Sequence, residues 1–217
     1  MEVAILSQMY QFLMTMGRCF ITLPPPPDSN GHDYVDLDLP SGTLWATCNV
    51  GASKPSDYGQ YFQWGDTQGY TKDQIGKNKR FDENNYKFSD DHKYYWGDKL
   101  KLEDDAAHVN MGGDWHMPSP SQFQELIDNT TSTWTTQNGV NGRLFTSKNN
   151  GKSIFIPAAG RAWGSEVQNS GSNGNVWSFM VSENSFVYSQ RLYFHSDGVY
   201  LNYTYRYYGH SVRGVLG

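Results

Sequence analysis

Asparagine–glycine pairs recur at short intervals in the middle of this 217-residue chain, at Asn138-Gly139, Asn141-Gly142 and Asn150-Gly151. Asn-Gly favours the left-handed backbone of tight hairpin turns, which join antiparallel strands. Short apolar and hydroxyl-rich runs lie between the pairs. The pattern therefore predicts a β-meander in this region. The predicted strands are 133–137, 142–147 and 152–160.

The composition extends this prediction to most of the chain. Charged residues make up only 18%, aromatic residues make up 15%, and there are 22 glycines. This profile is typical of a loop-rich, largely β protein, and the length suits one domain with a small appendage. The net charge is -5 and no Lys/Arg cluster occurs. We therefore expect no nucleic-acid partner.

The first 27 residues differ from the rest. Ile5, Met9, Phe12 and Met16 recur at helical spacing, and four prolines follow at 24–27. The spacing predicts a helix, and the prolines predict a stiff spacer before a globular domain at 28–217. The helix could pack on its own domain or associate with copies of itself, as in a homotrimer.

A degenerate lipoprotein signal ending at Cys19 is a third interpretation of this segment, and Arg18 argues against it. Polar residues interrupt the apolar run, so no membrane insertion is expected. Cys19 and Cys48 are the two cysteines of the chain and could form one bridge, which leaves the redox compartment open.

The remaining segments predict an α+β mixture. Alternation followed by the turn at 40–42 predicts a strand at 44–48, and the aromatic segment 58–66 is expected to be buried beside it. The polar segment 66–98 is predicted to be a long irregular insertion. Ser119-Pro120-Ser121 precedes an apolar stripe of Phe123, Leu126 and Ile127, which is typical of a capped helix.

Candidate catalytic and metal-binding residues are few. None of the six histidines pairs with another His or Cys at zinc-like spacing, and the acidic segments lack the pattern of an EF-hand loop. Asp104 and Asp105 could act as paired acids in glycoside hydrolysis, but turn and cap roles before 106–110 are the simpler interpretation. We therefore expect no metal, no cofactor and no enzymatic activity.

Several segments, in this order along 33–217, carry a family resemblance. They are VDLDLPSGTLWATCNVGASKPSDYGQYFQWGDT, LEDDAAHVNMGGDWHMPSPSQFQELI, TTQNGVNG, IFIPAAGR and YYGHSVRGV. Together they resemble the Fibrobacter succinogenes major paralogous domain of gut Bacteroidetes and their phages. The resemblance implies a C-type-lectin-like α+β fold, related to formylglycine-generating-enzyme-like proteins, with short antiparallel strands and about two helices.

The end of the chain carries a narrower resemblance. GSNGNVWS, the pattern x-Leu-x-Phe-x-Ser at 191–196 and RYYGHSVRGV resemble the variable region of proteins diversified by retroelements. The resemblance implies a non-enzymatic display protein, such as a phage tail-fibre tip or a bacterial surface adhesin. Its partner would be a bacterial surface protein or glycan, and its location would be the virion or the cell surface. His116 and Gly214 depart from the family pattern, which has Arg and Pro there.

Side-chain alternation suggests which residues face outward. Because side chains alternate with period two, Leu192, Phe194 and Val199 are expected to point toward a core. Arg191, Tyr193 and His195 are expected to point away from it. The following stretch, 199–209, shows no simple inward stripe and is too rich in tyrosine to be buried entirely. Tyr, Ser, Asn and Gly with some Trp and Arg is also the composition of antibody paratopes.

Alternation and the family's variable positions together predict a ligand-facing set within a variable face at 161–210. The set is Arg161, Trp163, Val176, Phe179, Met180, Arg191, Tyr193, His195, Asp197, Tyr200, Leu201, Tyr203, Thr204, Tyr205, Tyr208 and His210. The predicted framework residues are Trp177, Leu192, Phe194, Val212 and Arg213.

Two alternatives belong to other functional classes. The first is a glycan-acting or protein-acting enzyme at the cell surface, with its catalytic acids in 82–105. The second is a structural virion protein whose tyrosines contact a neighbouring subunit.

Overall fold

A computed structural model describes residues 26–77, 80–89 and 93–217. The predicted N-terminal helix, like Cys19, lies outside these described residues. Within them, the α-helices are α1 (Lys72–Ile75), α2 (Ala106–Met111) and α3 (Pro120–Asn129). Short 3-10 helices lie at Glu83–Asn85 and Leu102–Asp104. No helix in the described part of the chain is long and apolar enough to cross a membrane.

Small antiparallel sheets dominate the described residues, as predicted. One sheet has the order β1-β2-β11, a second β3-β4-β5, a third β10-β9-β8, and β6 pairs with β7. The strands are β1 (Tyr34–Asp36), β2 (Leu44–Ala46), β3 (Thr130–Gln137), β4 (Val140–Ser147), β5 (Ser153–Pro157), β6 (Arg161–Trp163), β7 (Glu166–Gln168), β8 (Gly174–Val181), β9 (Tyr188–His195), β10 (Gly198–Tyr205) and β11 (Val215–Leu216). The result is an α+β mixture with few helices.

The helix predicted after residue 119 is confirmed, and its sequence explains where it begins. The Ser119 hydroxyl accepts the backbone N–H of Gln122, and the Gln122 side chain accepts the backbone N–H of Ser119. This reciprocal cap satisfies donors that the first turn would otherwise leave free. Phe123 and Leu126 are completely buried and fix the helix against the core.

Two of the three Asn-Gly pairs form the predicted turns. Asn138 and Gly139 both have positive φ and join β3 to β4, and Asn150-Gly151 lies between β4 and β5. The prediction for Asn141-Gly142 is wrong, because both residues lie inside β4. A Cβ on Gly142 would stand 2.4 Å from the Ile156 carbonyl oxygen, so this glycine allows close strand contact instead of a turn.

The interpretation of 66–98 as a polar insertion is also wrong in part. The backbone is irregular, but its large side chains are core residues. Ile75 and Phe81 are each 1% exposed and pack in one cluster. Tyr86, Phe88 and Tyr94 are buried in another cluster with Trp64. Scattered single aromatic residues without period escape pattern-based prediction, because contacts between residues far apart in the sequence bury them, as between Trp64 and Tyr94.

The end of the chain closes the fold. β11 pairs with β2, which lies between it and β1. Arg213, just before β11, is completely buried and donates to the Asn49 Oδ1 and to the carbonyl oxygens of Ala46 and Phe155, at 2.8–3.0 Å. The framework role predicted for Arg213 is therefore confirmed. The other predicted framework residues, Trp177, Leu192, Phe194 and Val212, are all completely buried as well.

Candidate ligand-binding surface

The hairpin of β9 and β10 supports most of the predicted ligand-facing residues. Its loop has only two residues, Ser196 and Asp197. Phe194 lies opposite Val199, and Leu192 lies opposite Leu201. These four side chains pack on one core cluster, with Leu192 and Phe194 fully buried. The predicted inward orientation of Leu192, Phe194 and Val199 is confirmed, and these side chains anchor one side of the hairpin to the core.

The opposite side of the hairpin carries stacked rings. Tyr193 lies opposite Tyr200, and their ring centroids are 6.3 Å apart. The His195 ring lies 5.6 Å from each of them, and it stacks on Tyr200. The Tyr200 ring remains 47% exposed. Neighbouring rings restrict one another here while leaving area for a partner.

Tyr203 and Tyr205 lie on the other side of β10. They pair with Gln190 and Tyr188, so their side chains share a side with Leu201. They are nonetheless exposed, by 45% and 37%. β10 is the edge strand of its sheet. The tyrosines predicted to share one face therefore lie on both sides of an edge strand, because alternation separates even from odd positions.

A tyrosine cluster follows the end of β10. The Tyr205 ring lies 4.7 Å from the Tyr188 ring and 5.0 Å from the Tyr207 ring, and Tyr208 lies 4.9 Å from Tyr207. Burial, reinforced by Tyr208, raises the pKa of Tyr207 to about 12. Its hydroxyl is therefore neutral at physiological pH, and Tyr208 is one hydrogen-bond partner of this group.

Tyr208 connects this cluster to strand β6. It is almost buried, and its ring lies 6.1 Å from the half-exposed Trp163 and 4.7 Å from the Arg161 guanidinium. We define the binding surface as the exposed and half-buried side chains of β6 and of the two sides of the β9–β10 hairpin, namely Trp163, Arg191, Tyr193, His195, Tyr200, Tyr203 and Tyr205.

Arg161 and Arg191 line a common cavity of about 170 Å³ with Tyr193 and three asparagines, Asn169, Asn173 and Asn175. Arg191 donates its Nε to Asn202 Oδ1 at 2.9 Å and Nη1 to Asn175 Oδ1, and its guanidinium lies 4.9 Å from the Tyr193 ring centre. Burial, together with the like charge of Arg161, lowers the pKa of Arg191 to about 10. The Arg191 guanidinium therefore remains charged near pH 7.

Four predicted ligand-facing residues are buried, namely Val176, Thr204, Tyr208 and His210, and a fifth, Leu201, is half-buried. Val176 is 1% exposed and His210 is fully buried, so the prediction that they face a ligand is wrong. Thr204 is also buried, and Leu201 packs partly against the core. Burial, together with Arg191, lowers the pKa of His210 well below its usual value, and the imidazole is neutral. Its ring lies 4.2 Å from Trp177.

Phe179 and Met180 are partly buried near the end of β8. The Phe179 ring packs on the core, 6.3 Å from the His116 ring and 5.8 Å from the Lys99 ammonium. The backbone of Met180 forms an isolated antiparallel β-bridge with that of Lys99. The remaining predicted residue, Asp197, is highly exposed in the hairpin loop, where its carboxylate lies 3.7 Å from His195.

Several residues that position the binding surface were not predicted from the sequence. Arg143 on β4 is buried and donates to the carbonyl oxygens of His195 and Ser196 at 3.0 and 2.9 Å, which fixes the hairpin loop. Asn175 and Asn202 hold the Arg191 guanidinium. No local signal marks these residues, because their partners lie far away in the sequence.

The candidate acids have structural partners. The Asp104 carboxylate is buried and accepts from Lys87 at 2.7 Å and from Lys93 and Tyr94 at 2.6 Å each. The Asp105 carboxylate caps α2 and accepts the Met117 N–H, which confirms the cap interpretation. The described residues contain no group of three or more potential metal-ligating side chains.

Comparisons with protein-family models, with curated proteins and with solved structures found no match. The sequence resemblance therefore rests on the motifs themselves.

Proposed function

We propose that this chain is a non-enzymatic binding protein that presents a variable surface on a C-type-lectin-like frame. The observation that carries the proposal is the binding surface itself. Half-exposed aromatic rings lie on both sides of an edge-strand hairpin that Leu192 and Phe194, both completely buried, fix to the core. Large contiguous apolar patches on the surface of a protein mark interaction sites.

The physical properties of these side chains suit recognition. A tyrosine ring offers a large contact area with two rotatable bonds, and its hydroxyl finds a polar partner at low entropic cost. Tyr200, Tyr203 and Trp163 are each about half exposed. Each therefore has area left for a ligand, and neighbouring rings restrict the rotamers of Tyr200 and Trp163.

The division between frame and surface supports diversification. Leu192 and Phe194 alternate along β9 with Arg191, Tyr193 and His195. Only the first two contribute completely buried side chains to the core. Substitutions at the other three would change the ligand contacts while keeping the hydrophobic base of the hairpin, which is the arrangement that targeted mutagenesis requires.

The proposed partner is a bacterial surface protein or glycan, and the proposed setting is a phage tail tip or a cell surface. An assembly of three copies through 1–27 would strengthen weak single contacts, because linked sites raise the effective concentration of one another.

A whole-cell binding assay tests this proposal. The labelled full chain is incubated with a panel of bacterial strains, and bound fluorescence is measured by flow cytometry. We expect strain-selective binding that Tyr200→Thr and Tyr203→Thr reduce at least tenfold. Tyr34→Thr is the matched control, because Tyr34 is 43% exposed on β1, in a different sheet. Equal binding by all three variants would refute the proposal.

A further inference from the structure

The cavity between β6, β8 and β9 has the properties of an anion site. It is lined by Arg161 and Arg191, and no carboxylate of the described residues forms an ion pair with either of them. The whole chain is acidic, with a net charge of -5. Two guanidinium groups without a carboxylate partner therefore make this cavity a local region of positive charge in an acidic chain. An anionic ligand would neutralise that charge.

The guanidinium groups are held in place with donors to spare. Arg161 directs its Nε and Nη2 to Gln168 Oε1, at 3.3 and 3.1 Å, and its guanidinium lies over the Tyr208 ring. Arg191 directs its Nε and Nη1 to two asparagine oxygens. Within the described residues, Arg161 Nη1 and Arg191 Nη2 donate to no protein acceptor. A fixed guanidinium with a free N–H edge is suited to a carboxylate.

The rest of the lining indicates which anion fits. The side-chain amides of Asn169 and Asn173 form no hydrogen bond with other described residues, and amides both donate and accept, as hydroxyl groups require. Tyr193 adds an aromatic ring to the lining, 4.9 Å from the Arg191 guanidinium. The volume of about 170 Å³ is below the range of drug-sized pockets and suits a single small ring. Carboxylate, hydroxyl groups and a compact ring occur together in acidic sugars.

We propose that this cavity binds the carboxylate of an acidic monosaccharide, such as a uronic or sialic acid, at the surface of a glycan. The two arginines hold the carboxylate, the free amides contact ring hydroxyls, and the surrounding tyrosines contact the rest of the glycan. The inference rests on the proposed binding function, and it specifies the chemical class of the ligand for one part of that surface.

Ligand-observed NMR with the full chain tests the inference. The probes are the methyl glycosides of galacturonic acid and N-acetylneuraminic acid, with methyl galactoside as the neutral control and acetyl-glutamate amide as a peptide-like carboxylate. We expect at least one acidic sugar to bind with a dissociation constant on the order of 1 mM, which is typical of a ligand of this size. Binding should weaken several-fold between 20 and 300 mM salt.

Variants connect the binding to the cavity. Arg161→Gln should weaken acidic-sugar binding at least tenfold, and Asn173→Ala should weaken it several-fold. Lys152→Gln removes an equal charge from an exposed position on the loop before β5 and should leave binding unchanged. Arg161 is only partly buried, so its variant is expected to fold, and circular dichroism checks this.

Four outcomes would overturn the inference. These are the absence of binding by both acidic sugars, equal binding of methyl galactoside, equal effects of Arg161→Gln and Lys152→Gln, and tighter binding of acetyl-glutamate amide, which would indicate an acidic protein partner. The proposed binding function is refuted by a different result, namely whole-cell binding that Tyr200→Thr and Tyr203→Thr leave unchanged.

Discussion

The stability of two single variants would test the separation between frame and surface. Phe194 and Tyr200 are aromatic residues on adjacent strands of one hairpin, but Phe194 is fully buried and Tyr200 is 47% exposed. We expect Phe194→Ala to lower the free energy of unfolding by about 3 to 5 kcal/mol, as is typical of a buried ring.

Tyr200→Thr should cost far less. A tyrosine side chain covers roughly 200 Å² when fully buried, so about 100 Å² is covered here. Threonine retains about half of that contact and favours strands, which leaves ~50 Å² at about 25 cal/mol per Å², or about 1 kcal/mol. In a chain of this length the expected fall in Tm is about 3 °C for Tyr200→Thr and roughly 10 °C for Phe194→Ala.

Urea unfolding followed by tryptophan fluorescence measures both values, with unchanged m-values as the check that the transition is comparable. Tyr34→Thr calibrates the cost of replacing another half-exposed strand tyrosine, and it should also be about 1 kcal/mol. A loss of 3 kcal/mol or more for Tyr200→Thr would mean that this ring stabilises the fold, and the separation between frame and surface would be refuted.

Three further predictions concern buried polar groups. Arg213→Met removes three hydrogen bonds from a completely buried guanidinium and should cost about 3 kcal/mol in chemical unfolding; a loss below about 1 kcal/mol would contradict the framework role. The pKa of His210 is depressed in the folded protein, so below about pH 6.5 the unfolded chain binds a proton at this residue that the folded protein does not. The free energy of unfolding should therefore fall from pH 7 to pH 5, and His210→Phe should make this fall less steep. An equally steep fall in the variant would refute a depressed pKa for His210. Burial would raise the pKa of Asp104, but hydrogen bonds from Lys87, Lys93 and Tyr94 outweigh it and lower the pKa. The contribution of this carboxylate to stability is therefore present above about pH 4 and lost as pH falls through the folded pKa, so Asp104→Asn should be destabilising at pH 7 and nearly neutral at pH 2.5; a constant difference would contradict this.

Local signals predicted the elements that are determined locally. The cap at Ser119 depends on residues three positions apart, and the turn at Asn138-Gly139 depends on two adjacent residues. The inward side of β9 at Leu192 and Phe194 follows from alternation over residues 191–195. In each case the structure is specified by a short segment, so the sequence alone was sufficient.

Tertiary contacts determine the features that were missed. Asn141-Gly142 has turn chemistry, but close packing against β5 places it in a strand. Val176 lies on β8, where it packs in one core cluster and its neighbour Trp177 packs in another, so both sides of this strand are buried and alternation does not give the exposure of its residues. Arg143 fixes a hairpin loop more than 50 residues away in the sequence. Such relationships are absent from any short window.

Sequencing this gene across many individuals of its source population tests the central claim most directly. The proposal predicts that substitutions concentrate at the exposed and half-buried positions Arg161, Trp163, Arg191, Tyr193, His195, Tyr200, Tyr203 and Tyr205, while the buried Leu192, Phe194 and Arg213 stay fixed. Uniformly low variation across 161–210 would contradict a diversified surface and would indicate one fixed partner or a neighbouring subunit.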